Sequence, residues 1–139
     1  MVLREGDTYR VYYTTALGPV YMRSSLDLGS FSEPKRVAYG GSAGWGWSSS
    51  ECPFVVRPDP SGPYFLFRTQ VYGAEAQTSV YRSNSASDFG ISDDRYFVKR
   101  LPIAAPELVQ ADGEWFIAYL RGDLQGIQIA RLRWQAYAR

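Results

Sequence analysis

The stretch Gly62-Pro63-Tyr64-Phe65-Leu66-Phe67-Arg68-Thr69 decides how this chain folds, because its pattern occurs twice more. Gly6-Asp7-Thr8-Tyr9-Arg10-Val11-Tyr12-Tyr13-Thr14 precedes it, and Gly113-Glu114-Trp115-Phe116-Ile117-Ala118-Tyr119-Leu120 follows it. Each is a turn glycine leading into a run of aromatic and β-branched residues, the composition of a β-strand. A shorter apolar strand comes before each: Met1-Val2-Leu3-Arg4, Pro53-Phe54-Val55-Val56-Arg57 and Pro106-Glu107-Leu108-Val109-Gln110. A third strand comes after each, at Val20-Tyr21-Met22-Arg23-Ser24, Val80-Tyr81-Arg82-Ser83 and Ile129-Ala130-Arg131-Leu132. The first two units also share a turn, Asp27-Leu28-Gly29 and Asp88-Phe89-Gly90, in which aspartate bonds its own backbone and glycine is free to take positive φ.

Corresponding positions lie about fifty residues apart, and no segment carries a helical apolar stripe. Short strands repeating at that period predict an all-β chain built of β-propeller blades, about three of them, at roughly 1–45, 46–100 and 101–139 of a single domain. A plain sandwich or meander is the alternative, but it does not require strand, turn glycine, strand and arginine to recur in order. Three blades are fewer than the four to eight that usually close a ring. Open blade faces and strand edges are normally covered. The expectation is therefore a homo-oligomer, with two chains of three blades each completing the propeller.

Composition removes several functions. The 139 residues include no histidine, which excludes Ser-His and Cys-His nucleophile pairs and histidine metal sites. Fifteen basic and fourteen acidic residues give a formal charge of +1 without clusters, so no nucleic-acid partner is expected. No metal or cofactor is implied. Cys52 is the only cysteine, and its place beside Pro53 in an apolar run suggests a small buried hydrophobe. The polar N-terminal residues do not form a signal peptide, and no apolar run reaches the ~20 residues that span a bilayer, so the chain reads as soluble, with no membrane partner and no compartment indicated.

Glu51-Cys52-Pro53, with the strand pair after it, resembles the third-blade motif of the five-bladed propeller glycosidases of the furanosidase superfamily. Glycoside hydrolase family 32 carries Glu-Cys-Pro there, and family 43 carries Glu-Gly-Pro before an apolar strand. Ala104-Ala105-Pro106-Glu107 and the strand from Gly113 are similar to the next blade of that superfamily. The resemblance implies a carbohydrate ligand, a furanoside or pentoside, and a general-acid role for Glu51. A carboxyl at the start of an inner strand faces the central funnel, and an apolar wall around it would favour the protonated form that donates. Such enzymes need a second carboxylate about 5–5.5 Å away as nucleophile, or about 6.5–9.5 Å away when water intervenes. The resemblance implies an aspartate on the first blade for that role, and no residue of this chain matches it. The position corresponding to Glu51 in the next repeat is Ala104.

Other residues have two readings. Trp45 and Trp47, in the glycine- and serine-rich segment 40–50, could stack on sugar faces or fill the space between blades. Arg68, placed where the neighbouring repeats have Tyr13 and Tyr119, could bond a sugar hydroxyl or pair with Glu51. Asp93, Asp94 and Asp123 read as turn residues, and strand alternation places Glu107 on the face opposite Glu51. Ser25-Leu26-Asp27-Leu28-Gly29-Ser30-Phe31 resembles the Asp-box turn of sialidases, a structural turn. The competing functions are thus a glycosidase, a non-catalytic carbohydrate-binding module, and a self-assembling structural unit.

Overall fold

The computed structural model describes residues 1–135 as three antiparallel sheets in sequence order. The first sheet contains β1 (Val2–Glu5), β2 (Thr8–Thr14), β3 (Val20–Ser25) and β4 (Lys35–Ala38). The second contains β5 (Glu51–Val56), β6 (Tyr64–Val71), β7 (Gln77–Ser83) and β8 (Phe97–Leu101). The third contains β9 (Ala104–Ala111), β10 (Glu114–Leu120) and β11 (Ile127–Leu132). Each sheet is an up-and-down meander, the arrangement of a propeller blade.

Strand registers confirm that the units are repeats. Tyr9 pairs with Ser25 and Tyr64 with Ser83. Met22 pairs with Lys35 and Val80 with Lys99, while Tyr21 pairs with Arg36 and Ser79 with Arg100. Counting along β2 and β6 from these pairs sets Tyr13 opposite Arg68 in the repeat, as the sequence comparison expects.

The second sheet lies between the other two, and each of its faces is covered. On one face Val55, Leu66 and Tyr81 pack with Tyr12, Val20 and Met22 of the first sheet. On the other, Val56, Phe67 and Val80 pack with Leu108 and Ile117 of the third. Alternation along each strand supplies the two faces, so one strand feeds two cores. Trp134 folds back over the second boundary, its ring 4.7 Å from Phe65 and 5.8 Å from Trp115. A cleft of ≈ 430 Å³ opens there, lined by Phe65, Phe67, Val80, Leu132 and Trp134.

The Asp27 turn forms as its chemistry dictates. The Asp27 carboxylate accepts the N–H groups of Gly29 and Ser30, both at 2.8 Å, and these bonds hold its pKa below the ordinary carboxylate value. Asp93 and Asp123 accept backbone N–H groups two residues on in the same way. Among the described residues, no helix is long and apolar enough to cross a membrane.

Candidate functional site

Glu51 opens β5, half-buried and paired with Thr69 across the sheet. Between Glu51 and Phe54 the β5–β6 register shifts: three steps along β5 match two along β6. The extra residue is accommodated at Cys52, whose φ is 44°. The third sheet repeats the device, with Ala105 at φ 48° and three steps from Ala104 to Glu107 against two from Leu120 to Ala118. In both cases the left-handed residue precedes a proline, which disfavours the right-handed helical region for it.

The bulge overturns two sequence expectations. Cys52 is exposed, not a buried hydrophobe, because left-handed backbone at the bulge takes it out of strand alternation. Its thiol lies 3.3 Å from the hydroxyl of Tyr72. Glu107 occupies the same sheet face as the position matching Glu51, not the opposite one, because the inserted residue reverses the parity of the intervening count. Glu107 itself is exposed.

Tyr72 completes the carboxyl's surroundings. Burial pushes its phenol well above the ordinary tyrosine value, and the adjacent Cys52 and then Glu51 push it further in the same direction. The phenol therefore stays protonated and is a hydrogen-bond donor at neutral pH. Glu51, Cys52 and Tyr72 form one cluster at the end of the inner strand. Thr69 anchors it from behind: its hydroxyl is 3.0 Å from Thr78 and accepts the Ala105 N–H at 2.9 Å, tying the second sheet to the third.

Arg68 does not pair with Glu51. It is 1% exposed, so it is closed to solvent, and among the described residues neither it nor Glu51 makes an ion pair. Its guanidinium donates to Ser50 Oγ at 2.8 Å, to the Gly40 carbonyl at 3.2 Å and to the Ser49 carbonyl at 3.4 Å. It also reaches the Tyr81 hydroxyl at 3.4 Å and lies over that ring. Burial lowers its pKa from the usual arginine value. Arg68 is a clamp that fixes both ends of segment 40–50 directly ahead of Glu51. The sequence signal for this role was the serine pair Ser49-Ser50 preceding the glutamate.

Segment 40–50 consequently has a defined course, with a 3₁₀ turn at Gly41–Ala43 and left-handed backbone at Gly40, Gly41, Gly44 and Gly46. The first sheet also grips it, since a Cβ on Gly18 would lie 2.0 Å from the Gly46 carbonyl oxygen. The segment presents its tryptophans outward. Trp45 is 57% exposed and stands edge-on to Tyr39, with ring centroids 4.7 Å apart, and Trp47 is 75% exposed. Neither fills the space between sheets. Among the described residues, no group of three or more acidic, cysteine or histidine side chains could hold a metal ion.

No family model matches the sequence, and no curated protein matches it either. Among solved structures, the chain is similar to a crystal structure of an exo-1,5-α-L-arabinanase from a bovine ruminal metagenomic library. Identity is 17% and the TM-score is 0.66, with 96% of this chain covered and 53% of the arabinanase chain. The chain thus spans about half the length of the structure it matches. At that identity the likeness is one of fold alone, and the fold is all-β, with three antiparallel sheets arranged as β-propeller blades.

Proposed function

We propose that this chain is a carbohydrate-recognising unit of a glycosidase-type propeller, with Glu51 as the general acid that protonates the leaving oxygen of a furanoside or pentoside. The observation that carries this reading is the placement of Glu51. A half-buried carboxyl opens a bulged inner strand beside a phenol held protonated, in a fold shared with an arabinanase. The Tyr72 phenol can donate to the Glu51 carboxylate once its proton has been given up. Trp45 and Trp47 offer exposed aromatic faces of the kind that stack on sugar rings.

The test is hydrolysis of aryl α-L-arabinofuranoside, aryl xyloside and sucrose-type substrates by wild type and Glu51→Gln. Loss of a general acid lowers turnover by about 10²–10⁴-fold. Turnover that survives Glu51→Gln refutes the catalytic role. The exposure of both indoles favours a second reading, a binding module without turnover. That reading holds if arabino- or xylo-oligosaccharides bind wild type, are not cleaved, and are lost from Trp45→Ala or Trp47→Ala. No hydrolysis and no binding overturns both.

A further inference from the structure

The two outer faces of the three-sheet stack complement each other in the way the inner faces already do. The uncovered face of the third sheet carries Val109, Phe116, Ala118, Ile127 and Ile129, as the β9–β10 and β10–β11 registers require. Val109 is 56% exposed and the two isoleucines are each 67% exposed, so this apolar face has no cover among the described residues. Contiguous exposed apolar patches of this kind mark interaction sites. The uncovered face of the first sheet carries Arg4, Tyr9, Val11, Tyr13, Tyr21 and Arg23. Arginine and tyrosine are the residues enriched at protein interfaces.

The existing boundary between the first and second sheets supplies the template. There Glu5 pairs with Arg10 on its own sheet and reaches across to Arg57 at 3.3 Å and to the Tyr64 hydroxyl at 2.7 Å. Arg57 lies over the Tyr64 ring, 4.7 Å from its centroid. Both halves of this contact recur on the two uncovered faces. Arg4 lies over the Tyr9 ring at 5.4 Å, and Tyr9 pairs with Ser25 as Tyr64 pairs with Ser83. Arg4 and Tyr9 are therefore the same socket without its acid, and among the described residues Arg4 makes no ion pair. On the third sheet Glu114 pairs with Arg131 at 3.0 Å. Glu114 closes the two-residue β9–β10 turn opposite Ala111, as Thr8 closes the β1–β2 turn opposite Glu5. The third sheet thus bears the acid–arginine half of the contact, and the first sheet bears the arginine–tyrosine half.

We propose that a second copy of this chain covers these faces: the third sheet of one copy packs on the first sheet of the other, with Glu114 entering the Arg4–Tyr9 socket. A two-fold axis makes this contact twice, so the dimer interface is isologous and closes a ring of six sheets within the four-to-eight range of propellers. A different protein would have to reproduce both halves of a contact that this chain already contains. Closure also brings the Glu51 of each copy to the same end of one central channel.

Analytical ultracentrifugation of the full chain at micromolar concentration tests this. The expected mass is twice the 15.7 kDa of the chain. Arg4→Glu and Glu114→Arg should each weaken the dimer by at least about tenfold in dissociation constant, since like charges then meet at the boundary. The double variant Arg4→Glu/Glu114→Arg should recover most of that loss. Ile129→Lys, at an exposed apolar position, should also give monomer while keeping the wild-type far-ultraviolet circular dichroism. A monomeric wild type, a dimer indifferent to the single charge reversals, a double variant that stays monomeric, or open polymers in place of a closed dimer would each overturn the proposal.

Discussion

Truncating Arg68 to alanine should destabilise the protein by about 3 kcal/mol, and the structure shows how that figure arises. The guanidinium makes three hydrogen bonds to segment 40–50 and one to Tyr81, all to neutral acceptors. Hydrogen bonds from a charged donor contribute about 1.5–3 kcal/mol each in favourable cases, which would sum far higher. Against them stands the cost of keeping a guanidinium 1% exposed with no carboxylate beside it, several kcal/mol. The net value of the intact cluster is therefore modest. Alanine does worse than merely remove it, because Ser50 Oγ and the Gly40 and Ser49 carbonyls lose their donor at a buried site, at about 1–3 kcal/mol for each group left unsatisfied. Relaxation that admits water returns part of this, which leaves about 3 kcal/mol. Arg68→Met separates the two contributions: it fills the volume and carries no charge, so its cost should be about half that of alanine. Urea unfolding followed by tryptophan fluorescence reads both variants, with the slope against urea unchanged if only stability is altered. A loss below about 0.5 kcal/mol in Arg68→Ala, the range of an ordinary surface change, would refute the clamp.

Two further outcomes follow from the same packing. Gly18→Ala should cost about 2–4 kcal/mol, because Gly18 has φ +88° and its added methyl would meet the Gly46 carbonyl oxygen at 2.0 Å; thermal unfolding against wild type measures it, and an unchanged melting temperature would contradict the close approach. Asp27 predicts a pH dependence: its folded pKa lies below the unfolded value of 3.8, so its contribution is fully present above that value and is lost as pH falls through the folded pKa. The stability gap between wild type and Asp27→Ala should accordingly narrow as urea titrations move from pH 6 to pH 2.5, and a gap independent of pH would show that the carboxylate's charge contributes nothing.

What was legible in the sequence, and what was not, divides according to whether it depended on periodicity or on a break in it. The nine strands that carry the repeat, from Met1-Val2-Leu3-Arg4 to Ile129-Ala130-Arg131-Leu132, announce themselves because an aromatic, β-branched run after a turn glycine has few other uses. The outer strands Lys35–Ala38 and Phe97–Leu101 have no such pattern; Lys35, Arg36, Lys99 and Arg100 face solvent at the blade's rim, and burial imposes nothing on them. The motif marks Glu51, but its surroundings depart from regular strand alternation, which sequence alone does not reveal. One inserted residue at Cys52 exposes a cysteine that composition would bury, and its counterpart at Ala105 sets Glu107 on the same face as Ala104, the position matching Glu51. The same insertion at Ala105 keeps the third sheet in step with the second, so the bulge belongs to the repeat and not to the acid. Only the side chain differs, glutamate in one repeat and alanine in the other. A feature built twice but carrying a carboxyl once separates backbone from side chain: the bulged strand start is shared by the second and third sheets, and Glu51, with Tyr72 beside it, is the part that needs a chemical reason.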